Sequence, residues 1–321
     1  MKLALALLLS AFTPTLPAQT PAIHFHPAVP HFIGSVFDLQ TDGDTLEGVF
    51  IGDRHAARPL ILFIQGSGPA PLFGSVGDSV FHPLFPWQLL EDTAHFNFVF
   101  LSKPGIPAVC ALDRLDERYE YHAGGKTGPA PGDYLAHNTL EHYVAAYTTL
   151  LDHVNEIGGS TSITVMGHSQ GARIAAELAT HPAVGRLVYM SADPLGRLAT
   201  LYDAEYAKFD RRDPDKARLL HGLMDPAMAD SLYRGERYAS FRSFAKPSLI
   251  SLANAKVPTL LVYGDRDESC PNCYALSLLP AWFPRMQVLS YPGYDHNYFD
   301  PDGKNHWDEV VAEIFRWILG N

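Results

Sequence analysis

Residues 163–179 read ITVMGHSQGARIAAELA, and Ser169 stands there at the point where a strand-like apolar run gives way to a helix-like pattern. Gly167 and Gly171 lie two positions to either side, where a side chain would collide with neighbouring backbone in a sharp turn. A G-x-S-x-G spacing after a strand and before a helix is that of a nucleophile elbow, which pushes the serine hydroxyl outward in a strained conformation. The competing reading is a glycine-rich turn that happens to contain serine. A lone serine hydroxyl attacks poorly, so a base must take its proton and an acid must orient that base. Two downstream segments supply these types. VPTLLVYGDRD (residues 257–267) delivers Asp265 and Asp267 after an apolar run, and YPGYDHNYF (residues 291–299) offers His296. The chain order Ser, Asp, His is the one expected for this elbow. Asp193, in YMSADP, is a third acid after a strand. His168 is next to Ser169 and should point elsewhere, so it is discounted as the base.

These residues need a frame that gathers their segments. Residues 35–39 and 46–51 read as a pair of strands joined by TDGD. PLILFIQGSGPAP runs from a continuous apolar stretch into a glycine turn, and such runs mark strands buried on both faces. Further strands are expected at 96–101, 162–166, 187–190, 259–262 and 288–291. Helices are expected at 140–154, 170–179 and Trp307–Leu319. The alternation implies an α/β fold with a mostly parallel central sheet covered by helices on both faces. A polar, largely helical interval at 194–256 interrupts it and reads as a small cap within a single domain over 19–321. Its Tyr202, Tyr206, Phe209, Tyr233, Tyr238, Phe241 and Phe244 could line a pocket or pack the cap's own core. Residues 103–137 read as an ordered loop. PAIHFHPAVPHF, with His24, His26 and His31, reads as an extended lead-in with scattered surface histidines rather than a metal site.

GHSQG in this context, followed by GDRD and PGYDH, resembles the α/β-hydrolase family over about residues 37–319. The resemblance places the acid three residues after the glycine that ends its strand, which selects Asp267 over Asp265 and Asp193, and it matches the histidine to His296. It implies two oxyanion donors, the N–H of Gln170 and the N–H of Ser67 in Gln65-Gly66-Ser67-Gly68-Pro69. Relatives commonly carry His-Gly where this chain has Gln65-Gly66, which changes the groups that orient that loop and not the backbone donor. Ser67 and Gly68 could equally form a plain turn. The resemblance requires no metal and no organic cofactor.

Composition narrows the function classes. The chain has 321 residues, is 47% hydrophobic and carries a formal charge of −11. Its acidity argues against nucleic acid or an anionic membrane surface as the main partner. MKLALALLLSAFTPTLPAQT has Lys2, an apolar stretch and small residues near Ala18. It reads as a cleavable signal at 1–18, whose loss of one lysine and no acid moves the charge from −11 to −12. The mature protein is expected to be secreted or periplasmic, and no later segment has the apolar length to cross a bilayer.

CPNC places Cys270 and Cys273 where a local disulfide could staple the loop carrying Asp267, with Cys110 left over. A redox pair would normally open the first helix of a thioredoxin-like unit, whereas this one lies late in the chain. The function these features imply is a serine hydrolase that cleaves a carboxylic ester, or a related acyl bond of a small molecule, through an acyl-enzyme on Ser169. The alternatives are a peptidase or amidase on the same residues, and a non-catalytic binding protein of the same fold.

Overall fold

The structure is a computed structural model, which describes residues 22–27, 32–82, 85–86, 89–90, 93–206 and 214–320. The 1–18 signal, His31, Phe209 and the side chains of Tyr202 and Tyr206 lie outside the described residues. Nine strands build the central sheet: β1 (Ile23–Phe25), β2 (Gly34–Thr41), β3 (Asp44–Ile51), β4 (Arg58–Ile64), β5 (Asn97–Leu101), β6 (Ser160–His168), β7 (Val184–Met190), β8 (Thr259–Gly264) and β9 (Met286–Tyr291). Their spatial order is β1-β2-β3-β5-β4-β6-β7-β8-β9. From β5 to β9 every pairing is parallel, and β1, β2 and β3 pair antiparallel at the other side.

Strand periodicity divides the core into two layers. Along β4, Leu60, Leu62 and Ile64 enter one buried cluster, while Ile61 and Phe63 enter the other. Along β5, Val99 and Leu101 face the first layer, and Phe98 and Phe100 the second. Alternate side chains point to opposite faces of a strand, so a run buried on both faces must be apolar throughout. Burying one side chain of this size contributes about 1.5–3 kcal/mol relative to exposure.

The helix Leu140–Asp152 and the helix Gln170–Leu178 cover the first layer, and the helix Trp307–Leu319 covers the second. Trp307, Val310, Val311, Ile314 and Ile318 are the buried stripe of that last helix, and Gly320 ends it in the left-handed conformation at φ 77°. Among the described residues, no helix is long and apolar enough to cross a membrane.

Three expectations need correction. The lead-in contains β1, which pairs antiparallel with β2 through Ile23, His24 and Phe25. The 103–137 interval contributes Val109–Ala111 to a second, three-stranded sheet with Phe73–Val76 and Ser79–Phe81, and also holds a short helix, Gly132–His137. The helix expected at 140–154 ends at Asp152, and Val154–Ile157 forms a separate turn of helix.

The 194–256 interval holds helices Arg197–Tyr206, Pro214–Met224 and Tyr238–Ser243, a two-stranded hairpin and the helix Ser248–Asn254. Phe241, Leu201 and Leu223 form a small core of their own, with Tyr233 and Tyr238 packed against it. Phe244 and Leu252 belong instead to the main core.

Candidate active site

Parallel strands bring their carboxyl ends to one edge, and that edge is where the candidate residues meet. Ser169 follows β6 with φ 56° and ψ −119°, a positive φ of the kind that costs a non-glycine residue about 1–3 kcal/mol and persists only where its surroundings hold it. Its N–H donates to Met190 O at 2.9 Å, which ties the turn to the end of β7. Both flanking glycines are sterically required. A Cβ on Gly167 would sit 2.2 Å from Gly171 O, and one on Gly171 would sit 2.1 Å from Ile64 O.

The three residues expected to act together are in line. Ser169 Oγ donates to His296 Nε2 at 3.1 Å, and His296 Nδ1 donates to Asp267 Oδ1 at 2.9 Å and Oδ2 at 3.0 Å. The side chain of Asp267 is fully buried, whereas the His296 side chain is 27% exposed. Asp267 Oδ1 also accepts from Ser269 N at 2.8 Å, so the carboxylate is held independently of the imidazole. The turn carrying His296 is shaped by Asp295, whose Oδ1 accepts from Asn297 N and Phe299 N, each at 2.9 Å. A hydroxyl hydrogen-bonded to an imidazole that a buried carboxylate orients is chemically equipped for nucleophilic attack on a carbonyl.

The other two acids are engaged elsewhere. Asp265 Oδ1 accepts from Gly293 N at 2.6 Å, bracing the turn before His296. Asp193 is fully buried, and its carboxylate accepts from Leu195 N at 2.8 Å and Asn272 Nδ2 at 2.8 Å. It thereby pins the CPNC turn to the end of β7, and burial raises its pKa despite those bonds.

His168, discounted as the base, has a task that the sequence did not reveal. Its Nε2 donates to His296 O at 3.0 Å, and it packs against Trp307 and Tyr298. Burial lowers its pKa to about 3, so the ring is neutral and the accepting carbonyl fixes the hydrogen on Nε2.

Gln170 N–H opens the helix Gln170–Leu178, beside Ser169, where the positive end of the helix dipole lies; the Ser169 side chain does not cap this end. The loop after β4 flanks Ser169 from the other side, since a Cβ on Gly66 would lie 3.3 Å from Ser169 Cβ. Gln65 spans that loop by donating from Nε2 to Ala70 O at 3.1 Å.

A buried polar chain backs this region. Gln170 Nε2 donates to Asn138 Oδ1 at 3.3 Å, Asn138 Nδ2 to Glu236 Oε2 at 2.9 Å, and Arg197 grips Glu236 through two bonds of 2.8 and 2.6 Å. Arg173, on the elbow helix, donates to Thr200 Oγ1 at 3.2 Å, and Thr200 Oγ1 donates to Ser269 O at 3.3 Å beside the acid.

Cys270 and Cys273 are disulfide-bonded with Cα atoms 5.5 Å apart, both are buried, and both sulfurs pack against Ala192 O. Cys270 N donates to Asp267 O at 3.1 Å, so the bridge begins where the acid's turn ends. Chain entropy for so short a ring is worth about 2 kcal/mol, against about 3 for a 15-residue loop. The Cys270→Ser, Cys273→Ser double variant is therefore expected to lose only a few degrees in Tm by calorimetry. Its kcat should fall by a larger proportion, because the turn holding Asp267 loosens; unchanged activity would show that the bridge does not position the acid. Cys110 is free and buried, and burial raises its thiol pKa.

For a metal, the candidate group among the described residues is Asp116, Glu120 and His122, whose ligand atoms lie within 4.8 Å of one another. Its atoms already serve the loop: Asp116 Oδ1 accepts from Arg118 N and Glu120 N, and Asp116 Oδ2 accepts from His122 Nε2.

Comparison with known proteins agrees with this fold. The model of the alpha/beta hydrolase family matches residues 61–313. Est1E from Butyrivibrio proteoclasticus superposes with a TM-score of 0.57 at 16% identity, over 89% of this chain and 98% of that one. Acetyl xylan esterase 1 from Thermoanaerobacterium sp. JW/SL YS485 gives 0.54 at 17% identity, over 92% and 87%. An acylaminoacyl peptidase from Pyrococcus horikoshii gives 0.53 at 13% identity, over 91% of this chain and 41% of that one. No curated protein sequence matches. At these identities the solved structures speak to fold alone, while the family model spans most of the chain: the protein belongs to the alpha/beta hydrolase family.

Proposed function

We propose that the protein is an exported serine hydrolase that cleaves a carboxylic ester, or a related acyl bond, of a small molecule through an acyl-enzyme on Ser169. The observation that carries this reading is the continuous line from Ser169 Oγ through both ring nitrogens of His296 to a fully buried Asp267. As Oγ attacks the substrate carbonyl, its proton passes to His296 Nε2, and Asp267 stabilises the imidazolium and holds its orientation. The negative charge developing on the carbonyl oxygen is met by the N–H groups of Gln170 and Ser67. His296 then gives its proton to the leaving group, and water repeats the sequence to release the acid. The 194–256 cap is the element that selects the acyl and leaving groups. Export follows from the lysine-led apolar stretch at 1–18.

Ester substrates stand first because nothing in the sequence marks a peptide-terminus site; acetyl xylan esterase 1 and the acylaminoacyl peptidase share the fold, and the second supplies the amidase alternative. A panel of p-nitrophenyl esters of varied chain length and aminoacyl amides separates the two readings. The expected result is turnover of esters with little on amides. Turnover of amides alone would make the protein a peptidase or amidase, and no turnover of either class would contradict the hydrolase reading.

A further inference from the structure

Lys103 follows β5, whose parallel neighbour β4 ends in the loop beside Ser169, so the pairing sets Lys103 against that loop. It is 5% exposed, and its Nζ donates to two backbone carbonyls, Gly66 O and Gly68 O. We propose that Lys103 is a positioning residue for the oxyanion loop: by gripping the Gly66 carbonyl it aims the Ser67 N–H at the oxyanion, an inference that rests on the hydrolase reading above.

The geometry follows from the peptide bond. Gly66 C=O and Ser67 N–H belong to one planar trans unit, so the N–H points opposite to the C=O. A cation fixed on the carbonyl side therefore directs the donor away from itself. The second contact has no donor of its own to aim, because Gly68 C=O precedes Pro69, which lacks an N–H. It instead fixes the far end of the same turn, where Gly68 adopts φ 88°. Gln65 closes the loop from within, through Ala70 O.

An ammonium is expensive to bury, and a lysine held in a cleft on backbone carbonyls has a position that packing alone does not explain. Burial lowers its pKa to about 7, against the opposing fields of Glu236 and Glu120. Glu236 thus relates the two sides of the site: its field acts on Lys103, and its Oε2 accepts from Asn138, the partner of Gln170.

The test uses full-length mature protein, the best ester from the panel and a trifluoromethyl ketone of the same acyl group, whose hemiketal oxygen mimics the oxyanion. In Lys103→Met, kcat is expected to fall about 10²-fold, near the loss for removing an oxyanion donor outright, with KM changed less than about twofold. Ketone affinity should fall in parallel with kcat/KM. Lys103→Gln, which keeps N–H donors on an uncharged tip, should fall between the two. A merely structural lysine would lower Tm without moving ketone affinity relative to KM. Should neither variant fold, a crystal structure of wild-type protein with the ketone decides: Ser67 N on the hemiketal oxygen with Lys103 on Gly66 O supports the inference, and any other donor in place of Ser67 overturns it. Wild-type protein that fails to react with a fluorophosphonate overturns the hydrolase reading itself. A reactive wild type whose kcat and ketone affinity are matched by folded Lys103→Met overturns this inference alone.

Discussion

Ser169→Ala is expected to lower kcat on the best ester by about 10⁶-fold while leaving KM and Tm close to wild type. The size follows from what is removed: Ser169 Oγ is the hydroxyl that meets His296 Nε2 among the described residues, and without it the acyl-enzyme route closes. The residual rate should still exceed that in water by about 10³ to 10⁴, from substrate binding and the N–H donors that remain. Stability should hold, because alanine carries the same positive-φ strain as serine and the backbone bond from residue 169 N to Met190 O survives. Stopped-flow assays and calorimetry on the same preparation separate the two effects. A variant within about tenfold of wild type would mean that another group performs the attack.

Asp267→Asn should lower kcat by about 10⁴-fold with little change in fold. Asparagine has nearly the same volume, and its carbonyl oxygen can still accept from Ser269 N, so the buried site keeps its packing. Its amide, however, turns an N–H₂ toward His296 Nδ1, where the wild-type carboxylate accepts through both oxygens. The ring must then carry its hydrogen on Nε2, which faces Ser169 and can no longer take the hydroxyl proton. The neighbouring acids provide the control. Asp265 is occupied by Gly293 N and Asp193 by Asn272 and Leu195, so Asp265→Asn should cost far less in kcat. A larger loss at Asp265 than at Asp267 would mean that the acid is wrongly assigned.

Much of the frame was legible because burial on both faces imposes a signature on the sequence. FVFL and LILFI have no polar position to spare, and the stripe of Trp307–Leu319 repeats at helical spacing. Edges and short pairings were not legible. β1 and the strand Val109–Ala111 are three residues long, and each pairs with a segment well removed in sequence, β2 and Phe73–Ser75 respectively.

The same distinction governs the site. Glycine spacing around Ser169 is local and visible, as is the delivery of Asp267 and His296 by strand ends. The supporting contacts span the chain: Lys103 reaches 37 residues to Gly66, Asn138 reaches 98 to Glu236, and His168 reaches 128 to His296. Lone residues of these types carry no pattern. Asp193 shows the converse hazard, an acid after a strand whose occupation by Asn272 only tertiary structure reveals.

The central claim is that Ser169 is the nucleophile activated by His296, and covalent labelling addresses it most directly. Mature protein treated with a fluorophosphonate, digested and sequenced by mass spectrometry should carry one adduct, on the peptide containing GHSQG at Ser169, and His296→Ala should react far more slowly. Absence of any adduct, or modification of another residue with Ser169 left intact, would contradict the account.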